Sequence, residues 1–288
     1  MKKNILNYLM LALIILVSAC NEEGTNPLDQ LSELDDATAE AYTDYAEDDV
    51  NEIVIDLLDE FRFDSPSGKA NDGRSRFRPF AGKVSCAKID LDIDAGELVI
   101  DFGEGCESSD GVFRSGKILI FFTDFKHISG AQITTTFDNY FVDRKQLEGT
   151  RVLTNISDET EGQRAFEVVI TDGKITFEDG TFRTYSGSRT KVWEIEETSR
   201  EVQLTVTGSI SGVNRNGIEF SKTISEPVIF LHSCRRVGVK VAVSGERTII
   251  KNERAYVINY GQGDCDNLVT LTLPSGEIKD IVIQRKRG

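Results

Sequence analysis

Histidine is almost missing from this sequence of 288 residues, which holds only His127 and His232, far apart in the chain. No Cys-x-x-Cys or His-Glu-x-x-His spacing accompanies them, so a zinc site has no ligand set to draw on. The Gly-x-Ser-x-Gly elbow of serine hydrolases and the His-Arg-Asp loop of protein kinases are missing too. Proline, at five residues, is scarce, as expected where strands follow each other through tight turns. No apolar run is long enough to cross a bilayer comfortably as a helix. Basic residues are missing from one whole stretch: residues 21–61 hold fifteen Asp or Glu and no Lys or Arg. Residues 62–288 are nearly balanced, with 33 acidic and 31 basic side chains, so the net charge of −15 belongs to one segment. With no basic domain to neutralise phosphates, nucleic acid is not an expected partner, and "RKR" at Arg285 to Arg287 reads as a solubilising tail.

What is present begins with "MKKNILNYLMLALIILVSAC". Lys2 and Lys3 precede an apolar stretch from Leu9 to Val17, and small Ser18 and Ala19 precede Cys20. That order reads as an export signal over residues 1–19. The "VSAC" ending resembles the bacterial lipobox, which implies that Cys20 carries lipid and that a membrane is the partner it reaches. Glu22 and Glu23 are similar to the surface-export signal of Bacteroidetes lipoproteins; the plainer reading is an acidic tether over 20–35. The expected location is the outer membrane, with the outer face favoured over the periplasmic one.

From Asp36 to Phe61, Tyr42, Tyr45, Ala46, Val50, Ile53, Val54, Leu57, Leu58 and Phe61 recur at three- and four-residue spacings without an intervening Pro or Gly. The pattern predicts an amphipathic acidic helix over 36–63 that docks its apolar side on the body. A calcium reading of "DYAEDDVNE" lacks the loop glycine such sites use. Residues 64–79, rich in Ser, Gly, Asp and Arg, read as a linker.

From Phe80 the apolar period changes to two. Short segments rich in Val, Ile, Thr, Phe and Tyr follow one another, among them "ELVIDFG", "AFEVVIT", "KITFEDG", "TKVWEI", "VKVAVSG" and "RTIIKN". "DG", "SG" and "GTF" stand between them at hairpin distances. No helix long enough for a β-α-β crossover intervenes, so the strands are antiparallel. The fold class is mainly β: an antiparallel meander over 80–288 forming a sandwich or strongly curved sheet, as one core or two lobes, with one N-terminal helix.

"VIDFGEGC" at Val99 to Cys106 contains the Asp-Phe-Gly of kinases and a Gly-x-Gly. It recurs as "VINYGQGDC" at Val257 to Cys265, and "SGKI" at Ser115 to Ile118 answers "SGEI" at Ser275 to Ile278, so the repeat covers 99–118 and 257–278. A corner used twice with Asp exchanged for Asn is not keeping a magnesium ligand, and its glycines open no helix for a nucleotide. They suit a sharp strand corner instead. Four cysteines remain after Cys20, and in an exported chain they favour disulfides. The repeat selects Cys86–Cys106 and Cys234–Cys265; Cys86 joined to Cys234 is the alternative.

"TTTFDNYFVDRKQLEGTRVLTN" and "VTGSISGVNRNGIEFSKTISEPV", with "CDN" after the "NYGQGD" corner, resemble uncharacterised Bacteroidetes outer-membrane and surface lipoproteins over most of residues 80–285. The resemblance implies a surface lipoprotein and brings no activity, so no catalytic residue is carried over.

Other constellations are weaker. Asp90, Asp92 and Asp94 in "DLDIDAGE" imitate a calcium loop, but the glycine comes one place late and Ile89, Leu91 and Ile93 alternate with the acids, as on a strand. Trp193 on "RTKVWEI" fits packing or stacking on a sugar. No cofactor is expected. The function that remains is non-enzymatic surface binding, adhesion or assembly, with a glycan or protein ligand. A lipid or small-ligand carrier built on a curved-sheet cavity is the alternative, and an envelope hydrolase using carboxylates is the third reading.

Overall fold

The computed structural model of this chain describes residues 46, 49–51, 53, 54 and 82–282, apart from 125–127, 158–163, 197, 238 and 240. The signal peptide, Cys20, the tether, much of the expected helix and the linker lie outside the described residues.

Fourteen strands follow in chain order: β1 (Lys88–Asp92), β2 (Glu97–Asp101), β3 (Cys106–Glu107), β4 (Phe113–Phe122), β5 (Gln132–Val142), β6 (Lys145–Asn155) and β7 (Arg164–Thr176). Then come β8 (Phe182–Ile195), β9 (Val202–Val213), β10 (Glu219–Leu231), β11 (Ser244–Lys251), β12 (Arg254–Gln262), β13 (Leu268–Thr272) and β14 (Ile278–Val282). A five-residue helix, His232–Arg236, separates β10 from β11. All strands belong to one open antiparallel sheet in which neighbours in sequence are neighbours in space, except that β3 pairs with β4 beside the main path. Among the described residues no helix is long and apolar enough to cross a membrane.

Cross-strand partners share a face, and here the two faces differ in kind. One transverse row runs Leu91, Leu98, Ile120, Thr135, Arg151, Ile170, Gly187, Ile210, Lys222, Ile249 and Tyr256, from β1 to β12. This is the inner face, and it holds most of the buried side chains. The adjacent row on the other side runs Phe121, Thr134, Val152, Val169, Ser188, Ser209, Thr223, Thr248, Val257 and Thr272. Hydroxyl-bearing β-branched residues are what a solvated antiparallel face favours. A sheet this wide must curl to bury one face, because no second sheet stands against it among the described residues.

Glycine makes the curl sterically feasible. Gly208 on β9 has φ of +122°, and a Cβ there would lie 2.2 Å from the Ser188 carbonyl oxygen of β8. Gly212, four residues on, faces the Thr184 carbonyl in the same way. The neighbouring backbones approach on the inner side where any side chain would hold them apart.

Several expectations change. The period of two is expected from Phe80, yet Val84 and Cys86 lie in turns and the first strand begins only at Lys88. "AFEVVIT" and "KITFEDG" are one strand, because Asp172-Gly173 forms a bulge inside β7 instead of a turn. "VKVAVSG" is no separate strand: Ala242 and Val243 are buried in a connection, and Ser244-Gly245 open β11. The body is one compact unit, with a satellite core of Val228, Ala242, Tyr260 and Val269 near its C-terminal end.

The repeat holds in its first half. Asp101 accepts a hydrogen bond from the Gly103 N–H at 2.8 Å, and Asn259 accepts one from the Gly261 N–H at 2.9 Å. Phe102 and Tyr260 are both buried beside these corners. The second half does not hold: Gly116 lies inside β4 opposite a bulge of β5, whereas Ser275-Gly276 form the turn between β13 and β14. Disulfides join Cys86 to Cys106 and Cys234 to Cys265. Each encloses a hairpin, β1–β2 or β11–β12, so the duplicated unit is cysteine, hairpin, Gly-x-Gly corner, cysteine. Edge strands β1 and β14 are five residues long and carry Lys88, Asp90 and Asp92 or Lys279 and Asp280, which blunts them against further pairing.

Replacing either cysteine pair by serine is expected to lower the unfolding free energy by about 2–4 kcal/mol, measured in urea on the oxidised chain. Gly180→Ala, with φ of +81° but open space around it, should lose about 1 kcal/mol. Gly208→Ala should lose about 3 kcal/mol or more, because it adds a backbone collision to the same strain. Equal losses at the two glycines would show that the inner-side approach is not limiting.

Candidate functional site

The most constrained polar cluster lies where β4 begins. On β5 the positive φ of Asn139, 47°, adds one residue relative to β4. Tyr140 therefore returns to the inner side only three residues after Phe137, and their rings stack at 5.4 Å between centroids. Gly116 faces this bulge: a Cβ there would overlap the Asn139 carbonyl. Arg114 enters beside Tyr140 with its side chain fully buried.

Three groups meet that guanidinium. Arg114 Nε donates to Asp49 Oδ2 at 3.1 Å and Nη2 donates to Asp49 Oδ1 at 2.9 Å, a two-point grip on a carboxylate that is itself fully buried. Nη2 also reaches Asp110 Oδ2 at 2.8 Å, and Nη1 donates to the Lys83 carbonyl at 3.0 Å. Lys83 Nζ adds a bond to Asp49 at 2.5 Å. Asp49 belongs to the N-terminal helical stretch, whose Ala46, Val50, Ile53 and Val54 are also buried. The expected docking of this helix by its apolar side is seen at these residues.

Burial works against ionisation at both Arg114 and Asp110, and their mutual contact outweighs it. The Arg114 guanidinium is held above its ordinary value by the hydrogen bond to Asp110 and the charge of Asp49. The Asp110 carboxyl is correspondingly held below the usual carboxylate range by Arg114. The Arg114–Asp110 pair stays charged, which suits fastening and is unsuited to proton transfer.

Further along the inner face five more cations are buried: Arg151, Arg183, Arg189, Lys191 and Lys222. Each occupies a core-facing register position, such as Arg189 between Val168 and Gly208, or Lys191 between Phe166 and Val206. Aromatic faces share the work of holding them. The Arg151 guanidinium lies 4.6 Å from the Phe137 ring centroid and donates to the Tyr185 hydroxyl at 3.3 Å. Arg183 lies 4.1 Å over Phe220.

The singled-out residues fall as follows. Asp90 and Asp92 are exposed on β1, Asp94 is in the β1–β2 turn, and Asp92 accepts a hydrogen bond from the Ala95 N–H at 3.0 Å. No group of three His, Cys, Asp or Glu among the described residues could hold a metal ion. Trp193 is on the inner side, edge-on to Phe166 at 5.7 Å, where it packs. His232 is exposed at the start of the short helix. Sequence reading missed the Arg114 cluster and the inner cations, although a signal was present. Arg151, Arg183, Arg189 and Lys222 stand two residues from Leu153, Tyr185, Gly187 and Phe220, in the apolar phase of a period-two pattern. Comparisons with family models, curated proteins and solved structures gave no match for this chain.

Arg114→Met is expected to lower stability by about 3–5 kcal/mol, since it leaves a buried carboxylate short of its main partner. Asp49→Leu combined with Arg114→Met should recover most of that loss; a double variant as weak as the single one would contradict the charge argument. Because the folded-state pKa of Asp110 is depressed, its contribution is complete above the unfolded value near about 4 and is lost as pH falls through the folded value. Asp110→Asn should therefore flatten the acid limb of the stability–pH curve and leave its slope near neutrality unchanged.

Proposed function

We propose that this protein is a lipid-anchored, non-enzymatic binding protein of the bacterial outer membrane, of the Bacteroidetes surface-lipoprotein kind that its sequence resembles. Cys20 carries the lipid, and the outer face of the sheet is the surface offered to a glycan or protein ligand. The observation that supports this reading is the division of the sheet. Its inner face is taken up by core side chains, buried cations and the docked helical residues, while the outer face stays polar and open. That outer face bears rows of Thr and Ser interrupted by Phe121 and Phe182, 48% and 53% exposed. Hydroxyls beside exposed rings are the groups with which a sheet meets sugars or another protein surface.

The carrier reading needs an apolar interior, and six buried cations argue against one. In the most constrained polar cluster Asp110 is kept ionised by Arg114, which suits it to fastening and not to the proton transfer a hydrolase needs.

Cys20→Ser should move the protein from the membrane to the soluble fraction of fractionated cells and abolish labelling by a fatty-acid analogue. Phe121→Ser with Phe182→Ser should weaken retention on immobilised envelope polysaccharide or on whole cells by about tenfold at unchanged melting temperature. Turnover of a glycan, ester or peptide substrate, lost on changing one carboxylate, would replace this reading with an enzymatic one.

A further inference from the structure

Register sorts the charges of the outer face at the β1 edge of the sheet. One transverse row is Lys88, Asp101, Lys117 and Asp138, in which bases and acids alternate and Lys117 Nζ lies 3.6 Å from Asp101. The next outer row is Asp90, Val99, Leu119 and Thr136, and after it comes Asp92, Glu97, Phe121 and Thr134. With Asp94 in the β1–β2 turn, this corner holds four carboxylates and no base. Asp92 serves the turn by accepting from the Ala95 N–H, whereas Asp90, Asp94 and Glu97 make no hydrogen bond or ion pair with other described residues.

The same corner contains a hollow. A cavity of about 460 Å³ lies between the β1–β2 turn and the end of β4, with Ile93, Asp94, Phe121, Thr123 and Asp124 in its walls. The turn is fixed against β4: the Phe122 N–H donates to the Gly96 carbonyl at 2.8 Å, and a Cβ on Gly96 would lie 2.5 Å from the Phe122 carbonyl oxygen. Ile93 and Phe121 are both exposed here. Asp124 is engaged within the chain, and among the described residues no Lys or Arg lines the cavity. An apolar wall with a ring in it and an uncompensated carboxylate beside it fits an alkyl chain that ends in a cation.

We propose that the β1 corner of the outer face binds a basic, amphipathic segment of a partner protein. One Lys or Arg side chain of the segment enters the cavity against Ile93 and Phe121 and meets Asp94, and further cations pair with Asp90, Asp92 and Glu97. Asp90 and Asp92 stand about 7 Å apart along β1, the spacing of alternate side chains in an extended peptide. The charge decides the partner: a neutral or acidic glycan and an anionic lipid surface bring no cation to four carboxylates, and no group of three ligands for a metal ion exists among the described residues. The inference deepens the outer-face reading by naming the partner at Phe121, and it rests on that reading.

Fluorescence anisotropy on the full chain tests it with a labelled, capped hexapeptide of alternating lysine and valine. The expected result is saturable binding that weakens as salt is raised, with no binding of the same peptide carrying glutamate for lysine. Asp94→Asn with Glu97→Gln, and separately Phe121→Ser, should each raise the Kd by about tenfold. Glu104→Gln, exposed beyond the other end of β2, should leave it unchanged. Absence of saturable binding, equal binding of the two peptides, or a Kd that neither variant moves overturns the proposal. Competition by butylamine at the peptide's own concentration also overturns it, by making the cavity a site for free amines. Residues 21–61 carry carboxylates too, so carbodiimide coupling of the bound peptide to the unsubstituted chain, mapped by mass spectrometry, locates it without any variant. Coupling to Asp90, Asp92, Asp94 or Glu97 is expected; coupling confined to residues 21–61 or to other carboxylates overturns the proposal. Failure of the outer-face reading itself shows in cell fractionation and in retention on cells, and leaves these peptide outcomes as they are.

Discussion

A guanidinium without exposed surface is tolerable only where carboxylates and carbonyls meet it on several sides, and Arg114 satisfies that condition with pieces of chain far apart in sequence. Asp49 comes from the N-terminal helical stretch, the Lys83 carbonyl from the approach to β1, and Asp110 from the turn that leads into β4. The Cys86–Cys106 disulfide lies in the same neighbourhood, with Ser108 donating to the Lys83 carbonyl at 2.7 Å. A single charge thus ties the helix, the start of the sheet and the first clamped hairpin into one corner. Removal of any partner leaves another buried and unsatisfied, which makes the corner cooperative.

The rest of the sheet follows from having one face to bury and no second sheet to bury it against. A meander with sequential neighbours forms from local hairpins, so its topology requires little long-range search. The difficulty lies in curvature: crowding on the inner side is relieved by glycine at Gly208 and Gly212, where strands β8 and β9 approach through their backbones. Both hairpins that carry disulfides stand toward the ends of the meander, where strands are shorter than in its middle. Covalent clamps are most useful there, because terminal strands fray first.

Much of this architecture was legible in advance. Alternation at Leu98, Ile100, Ile118 and Ile120 marked strands and their inward side, and the absence of crossover helices marked them as antiparallel. The doubled Gly-x-Gly corner paired the cysteines correctly because both copies close a hairpin with the same Asx-supported turn. Glycine misled where it serves two purposes. Asp172-Gly173 reads as a turn, yet the strands on either side continue their pairing through it, since a bulge and a hairpin use the same backbone conformations. The "SGKI" and "SGEI" match failed for a related reason: four residues specify a local bend without specifying which strand pairs next.

By itself the sequence determined the periodicities, the segregation of acid into residues 21–61 and the identity of the duplicated corner, all properties of neighbours along the chain. Only the tertiary structure decided which charges share the interior. Arg114 and Asp49 are separated by 65 positions, and nothing local distinguishes that aspartate from the fourteen other acids of its segment. The choice is made by register: cations set in the apolar phase of successive strands are carried to one face by the pairing, and at Arg114 the low-dielectric interior then demands a carboxylate beside the charge.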